Sequence, residues 1–198
     1  EYSGDYVSPE QIIPQTGFKD SRGRNICWEA CITMNDNWGY CAGDHCYKSS
    51  RMVIRNLVEC VSKNGNLLLN VGPNAKGEIP EESLTILKDI GAWMKENSAS
   101  IYGCGISELP KPEWGRYTQN GNKLYAHVFE ECVNAICIDL PPERVASIRL
   151  LKDGSQILPF TYWTVKAYPN RTFFAFGKNK KPFPLPDETD TVVELTLK

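Results

Sequence analysis

Ile26-Cys-Trp-Glu-Ala-Cys-Ile-Thr-Met34 and Ser49-Ser-Arg-Met-Val-Ile-Arg-Asn-Leu-Val-Glu-Cys-Val-Ser-Lys-Asn-Gly-Asn-Leu-Leu-Leu-Asn-Val-Gly-Pro73 decide the fold class. The first segment is a short apolar run with one acid in it, and it reads as a buried strand. In the second, Val53, Leu57, Val58 and Val61 recur at three- and four-residue spacing behind the cap candidates Ser49 and Ser50. That pattern predicts an amphipathic helix that stops at Asn64-Gly65. Asn66 to Val71 is then a second continuously apolar strand, and continuous apolarity suggests burial on both faces, as in a parallel sheet. Pro80-Glu-Glu-Ser83 opens another helix, with Leu84, Leu87, Ile90 and Met94 as its expected inward stripe. Strand, helix, strand, helix is the signature of an α/β layer.

Outward from this core the texture changes. Residues 1–25 hold Gly4, Pro9, Pro14, Gly17 and Gly23 among polar residues and read as a long loop, a kind of segment that is usually functional inside a compact domain. Glu108-Leu-Pro-Lys-Pro-Glu113 reads as a linker. Beyond it, Lys123–Phe129, Ala135–Leu140, Ser147–Leu151, Thr172–Phe176 and Val192–Leu197 are short runs separated by turn dipeptides such as Asn120-Gly121 and Asp153-Gly154. Such spacing predicts an antiparallel sandwich. The expected architecture is therefore α/β plus all-β, with an α/β body over residues 1–107 and an all-β body over residues 108–198.

Charge and cysteine content exclude several classes of function. The chain has 22 Lys+Arg against 24 Asp+Glu in 198 residues, a balance that offers no basic field for phosphates or anionic lipid. No nucleic acid or membrane partner is expected, and no apolar run approaches the roughly 20 residues that cross a bilayer. The eight cysteines fall at spacings, such as Cys27-x3-Cys31 and Cys41-x4-Cys46, that suit neither a zinc ribbon nor a redox CxxC site, so no metal is expected. Cys41 and Cys46 flank a short loop and would be able to pair in an oxidising compartment. The lone His45 and His127 have no metal-spaced partner and read as surface or strand polar residues. The chain opens on Glu1 rather than Met, which is expected if it was processed or cut from something longer. Localisation stays open among secreted, periplasmic, lysosomal and cytoplasmic, as does the oligomeric state.

Three spaced segments agree in order with one family. Trp28-Glu-Ala-Cys-Ile-Thr-Met-Asn-Asp-Asn-Trp-Gly-Tyr40, Gly65-Asn-Leu-Leu-Leu-Asn-Val-Gly-Pro73 and Gly77-Glu-Ile-Pro80 closely resemble the signatures of the α-L-fucosidases, glycoside hydrolase family 29. Gly91-x-Trp93 and Ile101-Tyr102 match the helix that usually follows. The resemblance covers residues 1 to about 105, with a weaker continuation in Lys123-Leu-Tyr-Ala126. It implies that residues 1–107 are the C-terminal part of a (β/α)8 TIM-like barrel and residues 108–198 a C-terminal β-sandwich. It also implies removal of terminal α-L-fucose from glycoconjugates with retention, by a carboxylate nucleophile and a second carboxylate acting as general acid and then base. Two carboxylates suffice, so no cofactor is expected. The family's nucleophile is an Asp on a strand well upstream, and its fucose-binding histidines lie further upstream still. The rest of the barrel is therefore expected upstream, and this chain alone is expected to be inactive.

The resemblance also names site residues. The family's acid/base comes from a variable loop before the Trp-Glu strand, which here is Gly4-Asp-Tyr-Val-Ser-Pro-Glu-Gln11. Glu10 is the first candidate, because Ser8-Pro9-Glu10 resembles the Thr-Pro-Glu loop of many relatives. Asp5 aligns better with the animal-type members. Glu29 matches the signature and is expected in the site as an acid or as an acceptor that orders the acid or the sugar; its bland alternative is a buried Glu paired with a barrel Arg. Trp38 matches the position where an aromatic ring meets the sugar and its C5 methyl, and Trp28 is either packing or a shield for the site. The rival reading is a non-catalytic carbohydrate-binding or structural β-sandwich, based for the former on Tyr162, Trp163 and Phe174.

Overall fold

The computed structural model describes residues 4–133, 135–176 and 184–198. Their strands are β1 (Trp28–Thr33), β2 (Gly65–Asn70), β3 (Gly115–Asn120), β4 (Lys123–Val128), β5 (Ile136–Ile138), β6 (Val145–Leu150), β7 (Thr172–Phe174) and β8 (Thr191–Leu197). Two α-helices, α1 (Ser50–Val61) and α2 (Glu81–Asn97), precede β3. The architecture is thus mainly β-strands with few helices. The chain divides into two compact units, Glu1–Lys95 and Glu96–Lys198.

In the first unit, β1 and β2 pair in parallel, from Trp28 opposite Gly65 to Thr33 opposite Asn70. Parallel neighbours need a crossover, and α1 supplies it. Ser49 caps α1 by accepting a hydrogen bond from the Met52 N–H at 3.1 Å. The chain leaves α1 through Asn64, whose φ of +61° is the left-handed geometry common just past a helix end. Gly65 follows because Trp28 lies against it: an added Cβ would fall 2.6 Å from Trp28 Cδ2 and closer still to Cε2 and Cζ2. The φ of Gly65 is not positive, so close approach and not conformation requires glycine there.

Two apolar clusters hold this unit. Trp28, Ala30, Ile32 and Cys60 are enclosed with Val7, Ile13, Phe18 and Leu67 around them. Met34, Val53 and Ile86 form the second, with Leu69, Leu87 and Ile90 packed against it. The α2 stripe differs from the expected one by a small rotation. Ser83, Ile86, Trp93 and Asn97 are buried, whereas Leu84 and Met94 are only half-buried. The expected two-sided burial of β2 also fails, since Leu68 is 50% exposed and alternates with half-buried Leu67 and Leu69. Among the described residues no element covers the Leu68 side.

The leading segment, expected as a loop, runs as a third parallel segment beside β1. Val7 N–H donates to Cys27 C=O at 3.0 Å, Val7 C=O accepts from Glu29 at 2.9 Å, Pro9 C=O accepts from Cys31 at 3.0 Å, and Gln11 N–H donates to Cys31 C=O at 2.8 Å. Val7 is bridged to Trp28 and Glu10 to Cys31.

The second unit holds a four-stranded antiparallel sheet in the order β3-β4-β8-β6 and an antiparallel pair β5-β7. Alternation along β4 and β8 sends Leu124, Ala126, Val128, Val193, Leu195 and Leu197 into one core with Ile136, Ile138 and Phe174 of the smaller pair. The opposite face is polar and also covered. His127 Nδ1 lies 2.7 Å from Asp190 Oδ2, and its Nε2 lies 3.0 Å from Thr118 Oγ1, which donates to Ser100 C=O at 2.6 Å. On the same face Glu194, 3% exposed, accepts from Arg149 at 3.0 Å and Lys123 at 2.8 Å. Burial pushes the Glu194 carboxyl up, but hydrogen bonds from Arg149 and Lys123 outweigh it and hold the group below its usual range. Residues 96–107, which the sequence pattern groups with the first body, fall in the second unit. Ser100 accepts from Thr118, and Gly105 exchanges backbone hydrogen bonds of 3.0 and 3.1 Å with Gln119 of β3.

Candidate functional site

In a parallel α/β layer, function collects at the C-terminal ends of the strands. The register of the first unit decides which candidate residues stand there. Residues bridged across neighbouring strands share a face, and successive residues alternate. Val7, bridged to Trp28, lies on the side of the enclosed Trp28 cluster. Glu10, three residues on and bridged to Cys31, lies on the other side, the one that also carries Glu29 and Thr33. The strand spacing and rise put the Glu10 and Glu29 backbones roughly 8 Å apart. Glu10 is exposed and Glu29 half-buried.

Asp5 stands differently. It precedes Val7, which is level with the first residue of β1, so Asp5 lies beyond the N-terminal end of the layer and is exposed. Gln11, which follows Glu10, has a φ of +57° and ties the segment to the end of β1. Its Nε2 donates to Thr33 Oγ1 at 2.9 Å, and its Oε1 accepts from Thr33 N–H at 3.3 Å. Thr33, 1% exposed, donates its hydroxyl to Asn35 C=O. Nothing in the sequence marks Gln11 as the residue that fixes the end of the Glu10 segment, because its partner is 22 positions away.

Trp28 is spent on packing. It is 2% exposed, its indole N–H donates to Lys63 C=O at 2.9 Å, and Phe18 meets it edge-on with centroids 6.1 Å apart. No face of the ring is left for a sugar, so of the two readings of Trp28, packing or a shield for the site, the structure has packing, and its candidacy as a substrate-binding residue falls. Trp38, by contrast, is 40% exposed. Phe174, counted among possible glycan-binding aromatics, is fully buried in the second unit's core, whereas Tyr162 and Trp163 are 58% and 72% exposed.

The loop that carries Trp38 leaves β1 and returns at Lys48, whose N–H donates to Met34 C=O at 2.9 Å. Asp44 gathers it. Its Oδ2 accepts from Asn37 Nδ2 at 2.7 Å and Asp36 N–H at 3.0 Å, and its Oδ1 accepts from Cys46 N–H at 3.0 Å. The hydrogen bond from Asn37, followed by that from the Cys46 backbone, holds the Asp44 carboxyl below its ordinary value. Cys41 and Cys46 are both exposed and free, and all eight cysteines are free thiols. Among the described residues no group of three or more His, Cys, Asp or Glu stands close enough to hold a metal ion.

Comparison with known proteins points to one family. The family model described as α-L-fucosidase matches residues 1–99 of the 198. The chain is 38% identical over 109 residues to an α-L-fucosidase of Dictyostelium discoideum, a match that takes in 52% of this chain and 23% of that protein. Among solved structures, α-L-fucosidase isoenzyme 1 from Paenibacillus thiaminolyticus is 52% identical with a TM-score of 0.94, over 100% of this chain and 46% of that one. A family 29 α-L-fucosidase from Bacteroides thetaiotaomicron, trapped as a covalent intermediate with 2-fluoro-fucosyl fluoride, is 28% identical with a TM-score of 0.80, over 98% of this chain and 44% of that one. This chain therefore spans about a quarter of the length of the Dictyostelium relative and less than half of the solved ones. With the model matched over half of its length and its fold reproduced at 52% identity, the chain belongs to the α-L-fucosidase family.

Proposed function

We propose that this chain is the C-terminal portion of a retaining exo-α-L-fucosidase and that Glu10 is its general acid/base. In this reading residues 1–95 are the last strand–helix units of the catalytic (β/α)8 barrel, and residues 96–198, the second unit, are a β-sandwich. The nucleophilic Asp comes from a strand upstream. The observation that carries the choice of Glu10 is register. Glu10 is bridged to Cys31 near the C-terminal end of β1, on the face that carries Glu29, whereas Asp5 lies beyond the opposite end. The unpaired outer edge of β2 among the described residues supports a further barrel strand beside it.

The chemistry follows from two carboxylates facing each other across the anomeric carbon, about 5–5.5 Å apart in retaining enzymes. Glu10 protonates the leaving oxygen as the upstream carboxylate attacks, then takes a proton from the water that releases fucose. Glu29, half-buried on the same face, accepts hydrogen bonds from the sugar or orders the acid. Trp38 gives an apolar wall to the 6-deoxy sugar, whose C5 methyl has no hydroxyl to satisfy. The substrate class is a fucosylated glycan or glycoside.

The test is to label the complete enzyme with 2-fluoro-fucosyl fluoride and map the modified peptide. A fucosylated Asp outside these 198 residues, together with retained configuration in aryl α-L-fucoside hydrolysis, is the expected result. A label on any carboxylate within this chain overturns the assignment of roles.

A further inference from the structure

We propose that Gly72 and Asp44 are positioning residues that hold the Trp38 indole in place from two sides. The inference rests on the reading that Trp38 meets the sugar. Gly72 lies in the turn after β2, and an added Cβ there would come 2.6 Å from Gly39 C, 2.8 Å from Tyr40 N and 2.9 Å from Gly39 O. All three atoms are backbone and belong to the Gly39–Tyr40 peptide, one residue past Trp38. The shortest contact falls 0.8 Å inside the 3.4 Å at which ordinary van der Waals contact begins, so the loop would have to shift. The φ of Gly72 is not positive, so alanine is acceptable to its own backbone, and the nearest atoms a methyl would crowd all lie in the Trp38 loop. Asp44 grips the other side of the loop, with Asp36 N–H and Asn37 Nδ2 on one oxygen and Cys46 N–H on the other. Trp38 sits between the residues Asp44 binds and the peptide Gly72 seats. Trp38 is 40% exposed, so packing leaves part of the residue open and the backbone on either side helps to set where the ring stands. A shift of about 1 Å at a substrate-positioning group is enough to be felt in catalysis.

The experiment is a double-substitution cycle in the complete enzyme on an aryl α-L-fucoside, combining Gly72→Ala and Trp38→Ala, with 5-fluorotryptophan NMR of the Trp38 resonance. Gly72→Ala is expected to shift the Trp38 resonance and to raise KM roughly tenfold with kcat changed much less. In the Trp38→Ala background it is expected to add less than about twofold, because its target is gone. Multiplying effects of the two substitutions, or an unmoved Trp38 resonance in Gly72→Ala, overturns the proposal. A moved resonance with KM unaffected by Trp38→Ala leaves the positioning intact and sinks only the reading that Trp38 meets the sugar. Should Gly72→Ala fold poorly, Asp44→Ala removes the other grip without crowding the turn. It is held to the same resonance shift and the same loss of effect in the Trp38→Ala background.

Discussion

Replacing Gly65 by alanine tests how the parallel layer is held. The new Cβ would lie 2.6 Å from Trp28 Cδ2 and nearer to two other ring atoms, so the indole must move by about 1 Å or more to restore contact distances. Trp28 is 2% exposed and has no open side to move into. Overpacking of this kind costs about 1–3 kcal/mol. The indole N–H to Lys63 C=O hydrogen bond, 2.9 Å long, cannot survive the movement, and its loss adds about 1 kcal/mol. The expected destabilisation is therefore about 2–4 kcal/mol, a large part of the roughly 5–15 kcal/mol typical of a folded protein. With an m-value of about 2 kcal/mol per molar urea, the midpoint falls by about 1–2 M. Urea unfolding of Gly65→Ala, Trp28→Phe and the double variant measures this. The smaller Phe ring leaves room for the methyl, so the double variant is expected to be more stable than the sum of the single effects implies. An unchanged midpoint for Gly65→Ala, or strict additivity in the double variant, would refute the argument that Trp28 dictates glycine at 65.

Two further predictions concern titratable groups. The folded carboxyl of Glu194 sits below its usual range, so its contribution to stability is fully present above the unfolded carboxylate pKa and is lost as pH falls through the folded value. Glu194→Gln is expected to cost about 2 kcal/mol at neutral pH and to flatten the acid limb of the stability profile; an unaltered acid limb contradicts the Arg149–Glu194–Lys123 assignment. Cys60 is fully buried, and burial pushes its thiol up to about 12. In the native protein it should resist iodoacetamide at pH 8 while exposed Cys27, Cys41 and Cys46 are alkylated, and mass mapping of the labelled peptides checks the order.

The sequence pattern and the structure agree best where burial follows a simple period. Residues from β1 through α1 to β2 are legible because Val53, Val58 and Val61 recur at helical spacing and Leu67 to Leu69 follow a helix stop. The segment beside β1 was hidden because Pro9 and Gly4 mimic a loop. Pro9 brings no N–H to the ladder, yet its carbonyl still accepts from Cys31. β3 escaped for the opposite reason: Gly115-Arg-Tyr-Thr-Gln-Asn120 is too polar to read as a core strand. Thr118 is nonetheless buried because Ser100 and His127 satisfy its hydroxyl. His127 looked solitary because its partner Asp190 is 63 positions away. At the candidate site, the motif pointed to Glu10, Asp5, Glu29 and the two tryptophans. Only three-dimensional register separates Glu10 from Asp5, and only packing separates Trp38 from Trp28. Asp44 could not be found from spacing, since a loop acid that accepts three hydrogen bonds looks in sequence like any solvated one.

The central claim, that Glu10 is the acid/base, is tested most directly by azide rescue of Glu10→Ala in the complete enzyme on an aryl α-L-fucoside. Without the base, release of the fucosyl-enzyme slows, while azide needs no proton removed and attacks the intermediate unaided. The account predicts a large loss of turnover for Glu10→Ala, recovery with azide, and fucosyl azide of retained configuration as product, with Asp5→Ala near the parent rate and unaffected by azide. Rescue of Asp5→Ala but not Glu10→Ala would contradict the register argument, and rescue of neither would move the acid/base role to Glu29.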